Sequence, residues 1–126
     1  MSVALSMVVP VYNEEANVGS LLARIAEALP KLPSPHEVIV VDDGSRDATV
    51  ARLVEARAQY PWLKIIELRR NFGQHGATYA GFDKAAGDIV VTLDGDLQND
   101  PADIPKLLAK MKQNNVCRLL VKQASY

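Results

Sequence analysis

The residues able to do chemistry in this chain fall where apolar runs stop. In "VTLDGDLQNDP" (91–101) a valine-rich run ends in Asp94, Gly95 and Asp96, with Gln98 two positions on. "VVDDGS" (40–45) ends another run in Asp42 and Asp43, and "PVYNEE" (10–15) ends a third in Tyr12, Asn13 and Glu14. Carboxylates brought together repel, and some take up protons unless a cation joins them. A hard divalent ion, Mg2+ or Mn2+, accepts oxygen ligands of this kind, often beside phosphate oxygens. In an Asp-Gly-Asp, one aspartate can take the metal while the glycine lets a phosphate or sugar approach the backbone. Gln98 adds a neutral oxygen.

Each piece has a plainer explanation. An isolated D-x-D is common in turns, because aspartate bonds its own backbone. "DDGS" is a good turn and helix start, and Tyr12 can simply pack. His75 in "GQHG" reads as an exposed loop histidine, Arg69 and Arg70 as surface charges, and Cys117 as structural. Three acidic exits in one chain, however, are hard to explain as three unrelated turns.

The elements that must position these residues alternate in period. Residues 3–11, 36–43, 62–68 and 87–96 are short apolar runs that suit strands buried on both faces. Pro10 should cap the first, since it cannot donate to a central ladder. Between them, helical spacing predicts a helix over 14–29 with Val18, Leu21, Leu22, Ile25 and Leu29 on its buried face. A second helix starts at an N-cap Ser45, with Val50, Leu53, Val54 and Arg57 on one face. A third spans 77–86, where Ala77, Ala80 and Gly81 give a small-residue face. A fourth spans 99–111, capped by Asp100, with Ile104, Leu107, Leu108 and Met111 inward. Residues 69–76 read as a loop. Strand–helix repeated four times predicts one α/β domain over 1–126: three layers, a mostly parallel sheet and right-handed crossovers. In such sheets ligands bind outside the carboxyl ends of the strands, where the acidic exits gather.

Bulk properties exclude some classes. Fourteen basic and fifteen acidic residues give a net charge of −1, which offers no case for nucleic acid as a partner. A single cysteine excludes an internal disulfide and fits a reducing compartment. No run approaches the ~20 apolar residues that span a bilayer, and no signal peptide is evident. The expected location is cytoplasmic, peripheral at the membrane face if membrane-associated.

"VVPVYNEEANVGSLLARI", "EVIVVDDGSRDAT", "RRNFGQHGATYAGFDKAAGD" and "IVVTLDGDLQNDPADIPKLL" resemble the nucleotide-binding half of family-two glycosyltransferases with the Rossmann-like GT-A fold. "DLQ" and "RNFG" favour the polyprenyl-phosphate and dolichol-phosphate sugar transferases. The resemblance implies a metal-dependent, inverting transfer of a sugar from a UDP- or GDP-sugar to a polyprenyl-phosphate lipid. Pro10, Tyr12 and Glu14 would cradle the nucleoside, and Val41 and Asp43 would contact base and ribose. Asp94, Gly95 and Asp96 would grip the sugar diphosphate through Mg2+ or Mn2+, with Gln98 as a further ligand. Arg69 and Arg70 match a basic loop near the site, without an assigned contact. A lipid phosphate is already an anion, so such a transfer has little need of a general base.

The resemblance fades near Gln113. "QNNVCRLLVKQASY" has a strand-like stretch at 116–121, but no glycine-rich turn follows, and Arg118 is a poor match for the expected diphosphate-binding arginine. The expectation is therefore a truncated fold, the donor-binding half, whose open sheet edge could be covered by a second copy. Two alternatives stand beside it: a non-catalytic nucleotide-binding remnant or interaction module, and a phosphotransferase with an aspartate nucleophile.

Overall fold

A computed structural model of the protein describes residues 3–93 and 101–113. Four strands, β1 (Val3–Val11), β2 (His36–Asp42), β3 (Leu63–Glu67) and β4 (Gly87–Thr92), form one sheet in the order β3-β2-β1-β4. All three pairings are parallel; β1 meets β2 from Leu5↔His36 to Val11↔Asp42, and β4 from Val3↔Gly87 to Val8↔Thr92. Helices α1 (Val18–Ala28), α2 (Thr49–Ala56), α3 (Gly73–Lys84) and α4 (Ile104–Gln113) supply the connections and the outer layers.

The period-two alternation of the strands sorts side chains between two cores. Leu5, Met7, Val9, Val11, Val38 and Val40 meet Val18, Leu21, Leu22 and Ile25 of α1, Leu53 of α2 and Ile104 of α4. On the other face Val8, Ile39 and Val41 pack against Ala77 of α3. Gly81 makes that approach possible: a Cβ there would stand 2.3 Å from Val8 Cγ1 and 3.2 Å from Val41 Cγ2. This is the three-layer α/β/α arrangement expected, with the small face of α3 against the sheet.

Several boundaries differ from expectation. Pro10 does not end the first strand; β1 runs on to Val11. Val11 O accepts from Asp43 N and Val8 O from Leu93 N, so Val11 bonds toward β2 and Val8 toward β4. By the same parity Pro10's missing donor faces β4, where pairing ends at Thr92, and the β2 ladder is untouched. The first helix begins at Val18 rather than residue 14, because Asn13 has φ 51° and Glu14 N donates to Thr49 Oγ1 at 2.9 Å. Ser45 does not cap α2, which starts at Thr49. The stripe α2 buries is Thr49, Leu53 and, partly, Ala56, while Val54 is 56% exposed and Arg57 exposed. The third helix starts four residues early, at Gly73, so His75 is helical, though exposed as expected. The fourth opens with a 3-10 turn, Pro101–Asp103, before α4. The expected cap Asp100 and the stretch 116–121 lie outside the described residues, as do the side chains of Leu107 and Met111.

Candidate functional site

The sheet order brings β2, β1 and β4 side by side, and these are the three strands whose sequences run on into "DDGS", "YNEE" and "DGDLQ". β3, which ends in Glu67 and leads into the basic pair Arg69 and Arg70, takes the far edge. Leu93 N donates to Val8 O at 3.0 Å, which extends the β4–β1 pairing one residue past Thr92. Asp94, Gly95, Asp96 and Gln98 themselves lie outside the described residues.

The exits of β1 and β2 are fastened to each other. Asn13 N donates to Ser45 Oγ at 2.8 Å, and Arg46 N donates to Asn13 Oδ1 at 2.9 Å. Glu15 N donates to Asp47 Oδ2 at 3.4 Å, and Thr49 N to Asp47 Oδ1 at 2.9 Å. The Thr49 hydroxyl also donates to Asp47 Oδ1. Burial pulls the Asp47 carboxyl upward, but these donors outweigh it and hold its pKa below the usual aspartate value. The residues that looked like a helix cap therefore join two loops, their side chains bonding backbone N–H groups of residues 13–15 ahead of α1.

Within this frame the candidate nucleoside residues take different places. Tyr12 is 42% exposed at the rim. Glu14 is half-buried, and its Oε2 accepts from Asn17 Nδ2 at 2.6 Å. Pro10 is buried within β1. Val41 is wholly buried beneath α3, so it offers a ligand no exposed surface in this structure. Asp43 is nearly fully buried and its Oδ1 accepts from Phe72 N at 2.8 Å. Asp42 Oδ2 accepts from Ser45 N at 3.0 Å, whereas its buried Oδ1 has no hydrogen-bond partner among the described residues. An unpartnered buried carboxylate oxygen is costly, and at a strand exit it is the kind of atom a ligand donor satisfies.

A third wall comes from residues 69–73. Gly44 adopts φ +76°, and a Cβ on it would stand 2.5 Å from the Arg70 carbonyl carbon. Only glycine lets the two backbones touch there. The Arg70 guanidinium lies over the Phe72 ring, 4.3 Å from its centre, which stations a cation near the acidic rim. The sequence places a basic loop at Arg69 and Arg70 near the site; its contacts with Asp43 and Gly44 are what the structure adds. No group of three or more potential metal ligands occurs among the described residues.

Comparison with known proteins follows the same lines. The family model "Glycosyl transferase family 2" matches residues 6–122. The chain is 48% identical over 117 residues to dodecaprenyl-phosphate galacturonate synthase of Rhizobium johnstonii, covering 91% of this chain and 34% of that protein. It is 47% identical over 111 residues to undecaprenyl-phosphate 4-deoxy-4-formamido-L-arabinose transferase of Pseudomonas fluorescens, covering 86% of this chain and 32% of the relative. The chain thus spans about a third of the length of these relatives. Among solved structures, Staphylococcus aureus TarS 1–349 in complex with UDP-GlcNAc superposes with TM-score 0.69 at 28% identity, over 89% of this chain and 32% of that one. The mannosyltransferase PcManGT of Pyrobaculum calidifontis, in complex with GDP-Man and Mn2+, superposes with TM-score 0.69 at 24% identity, over 88% and 33%.

Proposed function

This chain belongs to glycosyl transferase family 2, and on that premise we propose that it binds a UDP- or GDP-sugar at the carboxyl edge of its sheet. The transfer served is that of the sugar to a polyprenyl-phosphate lipid. The observation that carries this reading is the adjacency of β2, β1 and β4 in one parallel sheet, the three strands whose sequences run on into "DDGS", "YNEE" and "DGDLQ". The named activities of the polyprenyl-phosphate relatives support the acceptor class.

In this reading Tyr12, Glu14 and Asp43 flank the nucleoside, and the buried Pro10 and Val41 form the floor beneath it. Asp94, Asp96 and Gln98 would hold Mg2+ or Mn2+. Two carboxylates and an amide oxygen form an all-oxygen set, which fits such an ion. When bound, the metal neutralises charge on the departing diphosphate. Gly95, with no side chain, would leave room for the phosphates. The bond broken joins the anomeric carbon to the diphosphate oxygen; the bond formed joins that carbon to a phosphate oxygen of the lipid, from the opposite face. The nucleophile is an anion, so no side chain needs to remove a proton. A lipid-borne acceptor puts the working site at a membrane surface, and no helix among the described residues is long and apolar enough to cross one.

Titration calorimetry with UDP- and GDP-sugars, with and without Mn2+, tests binding. Metal-dependent heat is expected for one nucleotide class; none for either would overturn the reading. Asp96→Asn should remove the Mn2+-dependent component and leave the melting temperature unchanged. Sugar transfer to a polyprenyl phosphate by this chain is a separate measurement. Donor binding without transfer would support the non-catalytic reading.

A further inference from the structure

Asp43 is held from three directions. Its backbone N–H donates to Val11 O at 2.8 Å, which ties it to β1. Its Oδ1 accepts from Phe72 N at 2.8 Å, and its carbonyl oxygen accepts from Asn71 Nδ2 at 3.3 Å. Two of these tethers use the partner's main chain and survive most substitutions there. The third depends on the identity of residue 71. Asn71 is exposed, and its Oδ1 also accepts from Gly73 N, the first residue of α3, at 3.2 Å. One side-chain amide therefore fixes where α3 begins and where Asp43 stands, with Phe72 and its Arg70 neighbour carried between them.

We propose that Asn71 is a positioning residue of the nucleotide site, acting through Asp43. The proposal rests on the donor-binding reading above and extends it to a residue that reading does not use. Asn71 acts without a contact of its own to the nucleotide: it ties the Asp43 main chain to the 69–73 wall, and the next residue, Phe72, supplies the N–H that orients the Asp43 carboxylate. A carboxylate oriented before the ligand arrives binds it without a further ordering cost, so loosening it weakens affinity more than it weakens the fold.

The test uses the 126-residue chain with UDP and GDP in the presence of Mn2+. Asn71→Ala should weaken binding of the preferred nucleotide by about tenfold, the usual consequence of losing one positioned hydrogen bond. Asn71→Asp keeps an oxygen for Gly73 N–H but has no donor for the Asp43 carbonyl, so it should bind as poorly as the alanine variant. Exchange of the Phe72 amide proton should quicken in both. Ser6→Ala, at the opposite end of the sheet, serves as a destabilised control and should bind as wild type does. Wild-type affinity in Asn71→Ala would overturn the proposal, and so would rescue by Asn71→Asp, which would reduce Asn71 to a helix cap. If the wild-type chain binds neither nucleotide, the donor-binding reading itself fails, before any variant is compared.

Discussion

At the scale of single residues, Gly44 has the least freedom to change. Its positive φ and the Arg70 backbone 2.5 Å from any added Cβ both exclude a side chain. Gly44→Ala should cost roughly 2–4 kcal/mol in urea unfolding, since backbone strain and backbone overlap add. Glu37 offers a second test, far from the site. Its Oε2 accepts from the Ser6 hydroxyl at 2.6 Å and from Ala86 N at 2.8 Å, and Lys64 Nζ lies 2.6 Å from Oε1. Burial raises its pKa, but Lys64, Ser6 and Ala86 together hold it below the ordinary 4.5. A carboxyl that ionises more readily when folded stabilises the protein at neutral pH, and that contribution is lost as pH falls below 4.5 and through the folded value. The stability gap between wild type and Glu37→Gln should therefore be widest near neutrality and close in acid, as read from melting temperatures across a pH series. The Lys64 side chain is 63% exposed, so its share should shrink in high salt.

At the scale of elements, burial sorts substitutions that hydrophobicity alone does not. Leu53 and Val54 are neighbours on α2, yet one is fully buried and the other 56% exposed. Leu53→Ala should cost about 2–5 kcal/mol, whereas Val54→Glu should stay within ~0.5 kcal/mol; chemical denaturation separates the two. Gly81→Ala should also destabilise, by about 1–2 kcal/mol, because overlap with the stiff Val8 side chain exceeds the helix propensity gained. These cases mark what the sequence makes legible. The apolar strands, the buried stripe of α1 and the small face of α3 could be read, because burial on both faces or on one stripe leaves a periodic trace. The ends of the elements could not. Ser45 and Asp47 carry all the local marks of a helix start, but their partners, Asn13 and Glu15, lie more than thirty positions away. "NFGQHG" looks like a loop by its glycines, yet Asn71 turns it into the first turn of α3. Of the candidate site, Asp43 and Tyr12 were identifiable by type and position, while the wall built by residues 69–73 depends on the approach of Gly44, which no spacing reveals.

At the scale of the whole molecule, the sheet order sets β2, β1 and β4 side by side, although they are far apart in the chain. The same order has a consequence for how the chain comes together. β1 meets β2 across short separations, with Ser6 bonded to Glu37 thirty-one residues on. Its other side waits for β4, where the Gly87 N–H closes onto Ser6 Oγ across eighty-one residues. Contacts so distant are slow to form, because the entropy of closing a long loop is lost before the contact rewards it. On a ribosome, β1 would emerge first and pair early with β2, then wait with one bare hydrophobic edge until residues 87–92 appeared. That interval is when two nascent chains would be most prone to join through the wrong strands.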